Sequence, residues 1–186
     1  MRYASIRELD ISNGEGVGVA LFVQGCHFHC YNCFNLDTWD FNGGKEWTQD
    51  TEDKLIELAS RLYIKRLSIL GGEPLADENL DGVLHLVNRF RLSFPNKSIW
   101  LYSGFRWEEC QPFNEDGLLK PDKFAPNLQK ILHKRYEVIS MCNVMVDGRY
   151  IDSQRNPSKK WAGSDNQRVI DIRKSLEQNK IILYCD

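Results

Sequence analysis

The chain has no apolar run approaching the roughly 20 residues that a membrane-spanning helix needs, and its N-terminus lacks the apolar core of a secretory signal. Both absences point to a protein of the cytoplasm. It also lacks a charge excess: 24 Lys and Arg stand against 26 Asp and Glu, a formal net charge of -2, which gives no electrostatic case for binding nucleic acid or a membrane surface. There is no internal repeat and no low-complexity tract. The six cysteines do not form the framework of a small secreted domain. Three of them crowd into one loop, while Cys110, Cys142 and Cys185 share no local spacing and read as ordinary thiols. What is present is a chain of 186 residues, 42% hydrophobic, long enough to bury one core and read as a single domain over residues 1–186.

The stretch that organises the chain is Gly25-Cys26-His27-Phe28-His29-Cys30-Tyr31-Asn32-Cys33-Phe34-Asn35. A loop of this size can fold Cys26, Cys30 and Cys33 around one face of a metal cluster, and it supplies no fourth cysteine. A structural zinc site closes its tetrahedron with four ligands, whereas a cluster that does chemistry keeps one metal open. Two other readings stand beside this one. His27 or His29 completes a Cys3His zinc site, or the three thiols hold no metal.

The loop follows Val17 to Gln24, a nearly continuous apolar run that suits a parallel strand covered on both faces. Open α/β sheets and barrels bind ligands in the loops that leave the carboxyl ends of such strands. Before it, Ser12-Asn13-Gly14-Glu15-Gly16 is a turn, and Arg2 to Asp10 has too weak a pattern to place. After it, Leu36 to Trp47 is irregular, with Trp39, Phe41 and Trp47 serving as a flank over the cluster or as core anchors. Helical spacing runs from Thr51 to Leu62, and Arg66 to Leu70 is a strand leading into Gly71-Gly72-Glu73-Pro74. Two glycines let the backbone approach a ligand, Glu73 offers an acceptor to a substrate ammonium, and Pro74 fits the first turn of a helix carrying Leu80, Val83, Leu84, Val87 and Phe90.

Ser98 to Tyr102 is a third strand, left by Ser103-Gly104-Phe105 at the same end; Ser103 either touches a cosubstrate ribose or caps the turn. Residues 108–126 hold three of the six prolines and read as a long connection. A helix at Asn127 to Tyr136, strands at Asn143 to Asp147 and Arg168 to Ile172, a helix at Arg173 to Gln178 and a strand at Ile181 to Tyr184 complete the chain. Strands alternating with helices imply an α/β fold with a mainly parallel sheet. Five to six strands are too few for a closed eightfold barrel, so the expectation is an open, partial barrel.

These residues carry a family resemblance. Cys-x3-Cys-x2-Cys is similar to the cluster motif of the radical S-adenosylmethionine enzymes, and the fuller pattern resembles their glycyl-radical activase group. That pattern comprises Asn13-Gly14-x-Gly16, Leu21-Phe22-Val23-x-Gly25-Cys26, Cys33-Phe34-Asn35 with Thr38-Trp39, Gly71-Gly72-Glu73-Pro74-Leu75, Ile99-Trp100 with Ser103-Gly104-Phe105, Asn143-Val144-Met145-Val146-Asp147-Gly148 and Trp161-x-Gly163-Ser164-x-Asn166-Gln167-Arg168. The resemblance implies a radical S-adenosylmethionine partial barrel in which Cys26, Cys30 and Cys33 ligate a 4Fe-4S cluster. It implies that Asn32, Cys33 and Phe34 contact the adenine of S-adenosylmethionine and that Gly71, Gly72 and Glu73 receive its methionyl amino group. The implied activity is an oxidoreductase that generates a glycyl radical on an anaerobic ribonucleoside-triphosphate reductase, with a flavodoxin-like electron donor. Asn32 stands where many radical enzymes carry a hydrophobic residue, and the tail beyond Ile172 is an extension. Another radical enzyme, of the pyruvate formate-lyase activase or 7-carboxy-7-deazaguanine synthase type, and a zinc-binding interaction module remain as alternatives.

Overall fold

Four apolar runs become four adjacent parallel strands in the computed structural model, which describes residues 1–112 and 127–185. The elements in chain order are β1 (Arg2–Asp10), β2 (Gly18–Val23), β3 (Lys45–Glu46), α1 (Gln49–Ser60), β4 (Arg66–Gly71), α2 (Asp77–Ser93), β5 (Ser98–Tyr102), α3 (Leu128–Ser140), β6 (Val144–Asp147), β7 (Arg168–Asp171) and α4 (Ile172–Gln178). The sheet is open and seven-stranded, in the order β3-β1-β2-β4-β5-β6-β7. Strands β2, β4, β5 and β6 pair in parallel, while β1, β3 and β7 are antiparallel additions at the two edges. The sheet is therefore mixed and larger than the five to six mainly parallel strands expected.

Alternation along the strands sorts side chains to two faces. Val19, Leu21, Val23, Leu67, Ile69, Ile99, Leu101 and Met145 pack under the helices with Leu55, Leu58, Leu80, Val83, Val87 and Phe90. The alternate positions form smaller clusters, one of Ala20, Phe22 and Leu70 and one of Trp100, Val144, Val146 and Val169. A strand buried on both faces cannot show alternation, and β2 is buried at every position.

Several expectations change. Strand β1 escapes detection because two register irregularities, between Tyr3 and Ser5 and between Arg7 and Asp10, break its period of two. Helix α1 stops at Ser60, so Leu62 lies beyond it and is 91% exposed. Helix α2 starts at Asp77, so Pro74 belongs to the preceding turn. The tail contributes a single bridge, Ile170 to Leu183, in place of a strand. Of the long connection, Trp107 to Cys110 form a short 3-10 helix, and 113–126 lie outside the described residues. Among the described residues no helix is long and apolar enough to cross a membrane.

Beneath the sheet's non-helical face sits a buried ion pair. Arg66 is fully buried and donates through Nη2 to the Asp10 carboxylate at 2.7 Å and to the Asp10 carbonyl at 2.9 Å, while Nη1 donates to Ser68. Gly14 and Gly18 both lie against this guanidinium, where an added Cβ would fall within 3 Å of the arginine side chain. Burial alone would raise the Asp10 pKa, but hydrogen bonds from Arg66 and Asn13 carry it below the ordinary carboxylate value. Asp10→Asn leaves Arg66 buried without a counter-charge and is expected to cost roughly 3–5 kcal/mol at neutral pH. The Asp10 contribution is present above the unfolded pKa of about 4 and lost as pH falls through the lower folded value. Chemical denaturation at pH 7 and pH 3 checks both points: the gap between wild type and variant narrows in acid.

Candidate functional site

The carboxyl ends of β2, β4, β5 and β6 surround a cavity of about 580 Å3. That volume falls within the roughly 300–1,000 Å3 usual for cofactor and substrate sites. Cys26, Cys30 and Cys33 line it from the loop after β2. Gly71, Gly72 and Glu73 enter after β4, Ser103 and Gly104 after β5, and Gly148, Arg149 and Tyr150 after β6.

The cysteine loop is held at its base. Gln24, almost wholly buried, donates from its amide to the carbonyls of Asp37 and Asp40 at 3.0 and 2.9 Å. Gly25 N–H bonds to Thr38 O at 2.8 Å and Cys26 N–H to Trp39 O at 3.0 Å, so residues 24–40 form a closed loop. Gly25 has φ of +96° and lies against the Phe41 ring, so a side chain there meets both strain and a clash.

The Gly-Gly turn is fitted to that base. Gly72 N–H bonds to Val23 O at 2.9 Å and Glu73 N–H to Gly25 O at 2.7 Å. A Cβ on Gly72 would stand 2.4 Å from Gly25 O. The close approach these glycines permit is therefore between two loops of adjacent strands. Asn79 of α2 fastens both, donating to Gln24 O and Glu73 O at 3.0 Å each.

Glu73 is buried, and its carboxylate already has three donors. Leu75 N–H and the Ser103 hydroxyl reach Oε1, each at 2.8 Å, and Gly104 N–H reaches Oε2 at 2.7 Å. Burial nevertheless pushes its pKa up to about 7, outweighing those hydrogen bonds. Ser103 also accepts from Phe105 N–H at 3.0 Å, so its hydroxyl caps the turn and orients Glu73 together. Among the predicted residues, Asn32 departs from the group. It does not line the cavity, has φ of +54°, and donates to Asp152 at 3.2 Å.

The thiols are unlike one another. Burial pushes Cys26 up to about 11 and raises Cys30, with Cys33 close by adding to the latter. Cys33 Sγ accepts from Asn35 N–H at 3.4 Å. Three soft sulfur donors on one loop suit an iron-sulfur cluster, and among the described residues no fourth cysteine lines the cavity. The histidines face elsewhere. His29 stacks on Trp39 with centroids 4.5 Å apart, and His27 lies on Phe41 and reaches Glu78 at 2.9 Å. Among the described residues no three His, Cys, Asp or Glu side chains gather on a point where a single ion would sit. Trp39 and Phe41 thus back the loop from behind, and Trp47 packs in the helix-side core against Tyr3.

Tyr102, Arg7, Asn13, Arg149, Tyr150, Arg155 and Trp161 are among the further lining residues and were not singled out as ligand contacts. Arg149 lies over the Phe28 ring at 4.3 Å, Phe28 meets Phe105 edge-on at 4.8 Å, and Phe34 packs on Tyr150 at 5.0 Å. The signal for the β6 loop was Asp147-Gly148 leaving its strand at the same end as the cysteines. Gln167 fixes this wall, donating to Gly148 O at 2.9 Å and accepting from Gly163 N–H at 2.8 Å.

A model of the 4Fe-4S single cluster domain family matches residues 12–170, so fold and site together define an iron-sulfur cluster domain. Three curated relatives are each named anaerobic ribonucleoside-triphosphate reductase-activating protein. That of Salmonella typhi is 34% identical over 175 residues, covering 93% of this chain and 100% of the relative. Those of Vibrio cholerae and Enterobacteria phage T4 are also 34% identical, over 91% of this chain and 97% and 93% of their own lengths. The chain belongs to the anaerobic ribonucleoside-triphosphate reductase-activating protein family.

Two outcomes follow for the metal-free protein. Gly72→Ala forces the two loops apart and is expected to lower stability by about 1–3 kcal/mol, with a matching fall in cluster loading after reconstitution. Because the folded Glu73 pKa lies above its ordinary 4.5, its protonated form is the one the fold favours. Stability is then greatest below pH 4.5 on this account and declines as pH rises toward 7, by about 3 kcal/mol at the limit. Urea titrations at pH 5, 6, 7 and 8 should show that decline in wild type and not in Glu73→Gln.

Proposed function

We propose that this protein is a radical S-adenosylmethionine activase that generates a glycyl radical on an anaerobic ribonucleoside-triphosphate reductase. The observation that carries the reading is that the Cys26-Cys30-Cys33 loop and the Gly71-Gly72-Glu73 turn, interlocked through Gly72 and Gly25, open on one cavity of cofactor size. On this reading the sheet is the open partial barrel of the radical S-adenosylmethionine fold. The names of the relatives support the choice of reductase over other glycyl-radical partners.

Cys26, Cys30 and Cys33 hold three irons of a 4Fe-4S cluster. The main chain of the 71–73 turn meets the methionyl ammonium of S-adenosylmethionine, because the Glu73 carboxylate is consumed by Leu75, Ser103 and Gly104. Ser103 accordingly serves by holding Glu73. Cys33 and Phe34 lie beside the adenine, and Asn32 sets the backbone there through its bond to Asp152. Phe28 and Trp161 supply apolar wall that would limit water around a bound cofactor. When bound, a 4Fe-4S cluster held by Cys26, Cys30 and Cys33 and S-adenosylmethionine held at the 71–73 turn would supply the one-electron chemistry that a glycyl-radical activase needs, and the chain's own residues would bind, orient and shield them. A flavodoxin-like protein donates the electron.

Anaerobic reconstitution should give a brown protein with roughly four iron and four sulfide per chain. With reductant and S-adenosylmethionine it should form 5'-deoxyadenosine, and a glycyl radical should appear by electron paramagnetic resonance only when the reductase is added. Cys26→Ala, Cys30→Ala or Cys33→Ala should each abolish both cluster and radical. Tightly bound zinc and no deoxyadenosine would falsify the reading.

A further inference from the structure

The cavity that Cys26, Cys30 and Cys33 enter is also lined by three guanidinium groups, those of Arg7, Arg149 and Arg155, against one carboxylate, Glu73. Glu73 is buried with its oxygens taken by Leu75, Ser103 and Gly104, and Arg7 pairs with Asp10 at 3.7 Å. Arg149 and Arg155 have no such partner: among the described residues neither side chain makes an ion pair or a hydrogen bond. Asp152, on the same loop, is engaged by Asn32 at 3.2 Å and by the Tyr150 hydroxyl at 2.8 Å, and neither it nor the exposed Asp37 pairs with either arginine.

Each guanidinium lies instead over an aromatic ring of the cysteine loop, Arg149 at 4.3 Å from the centre of Phe28 and Arg155 at 5.8 Å from that of Phe34. Such contact orients a cation without neutralising it. Both rings line the cavity with the three thiols. The loop after β6 also bears on a cysteine directly: burial and Cys33 raise the Cys30 pKa, and the Tyr150 main-chain N–H and the Arg149 charge act against them. Both arginines are exposed, so water solvates them in the metal-free chain, and their charge is left to act on whatever negative charge the cavity takes up. Ligation turns the three thiols into thiolates, and an electron added to the cluster puts one more negative charge on the same point.

We propose that Arg149 and Arg155 are the counter-charges of the cluster, stabilising its reduced form and so raising its reduction potential. The inference rests on the ligation by Cys26, Cys30 and Cys33 proposed above and extends the site to a second loop. Neither arginine touches the electron's path in this role; both act through the field they set up at the sulfurs.

The test uses the reconstituted full chain without S-adenosylmethionine or reductase. Arg149→Met and Arg155→Met, singly and together, keep length and ring contact but remove charge, while Arg149→Lys keeps it. Arg173→Met is the control, since α4 begins where Asp171 pairs with Val144 at the far end of β6. Iron per chain is measured, and the potential is read by anaerobic titration with a titanium(III) reductant and viologen mediators, following the reduced cluster by electron paramagnetic resonance. The expected result for the double Met variant is a tenfold or greater fall in the equilibrium constant for reduction, about 59 mV for a one-electron couple, with iron unchanged. Arg149→Lys and the control stay at the wild-type value, and the gap narrows as salt is raised. A double variant with full iron and the wild-type potential overturns the proposal. So does a loss of iron that Arg149→Lys shares, since the side chain would then prop the loop and not supply charge. Wild type that takes up no cluster overturns the ligation itself.

Discussion

The site depends on the absence of one carbon atom. Gly72 lies so close to Gly25 O that no side chain can stand between them, and the hydrogen bonds from Gly72 and Glu73 to the end of β2 exist only because of that approach. A parallel pair of strands delivers two loops side by side but does not by itself fix their relative height. Here the main chain does so, and Asn79 adds a third fastening from α2. The cysteines and the Gly-Gly turn are consequently fixed against each other by main-chain bonds, so the two loops line the cavity as one unit.

Polarity is distributed to the same end. Glu73 is surrounded by chain donors in a place where burial opposes its charge, so it acts as a joint between the loops after β4 and β5. Asp147 does the equivalent at the end of β6, accepting from Trp107 N–H at 2.8 Å and pairing with Arg168, whose protonated form is held further by Glu108. The loops that shape the cavity are thus tied in pairs by buried or half-buried carboxylates, each satisfied by neighbours. Removing either partner leaves the other stranded, and that asymmetry is what makes these positions intolerant of change.

Much of this could be read from sequence, for reasons particular to each element. The apolar runs of β2, β4, β5 and β6 are written in consecutive β-branched and aliphatic residues, because a strand covered on both faces has no reason to alternate. That the three cysteines and the Gly-Gly-Glu turn would face one cavity was legible because each leaves such a strand at the same end. Strand β1 was not legible: its two irregularities and its charged outer face leave no period to detect. The left-handed backbone of Asn32, and its bond across 120 positions to Asp152, could not be anticipated from local pattern. The same holds for Arg149 and Arg155, whose place in the cavity wall is set by how the loop after β6 folds back. The Trp161 to Arg168 stretch, which marked the family, turns out to contain the hydrogen bonds of Gln167 that keep this wall in place.

The helix-side core is built from β2, β4, β5, β6, β7 and four helices, and none of its members lies within the cysteine loop. Small metal-binding domains often unfold when stripped because the ion is their only keystone. In this chain the architecture stands on burial of aliphatic side chains, and the cysteine loop is closed by its own main-chain bonds at Gly25 and Cys26. The cluster is accordingly a passenger of a finished scaffold. The chain's order of assembly is thereby set: the aliphatic core and the loop closure form from the polypeptide itself, ahead of any iron.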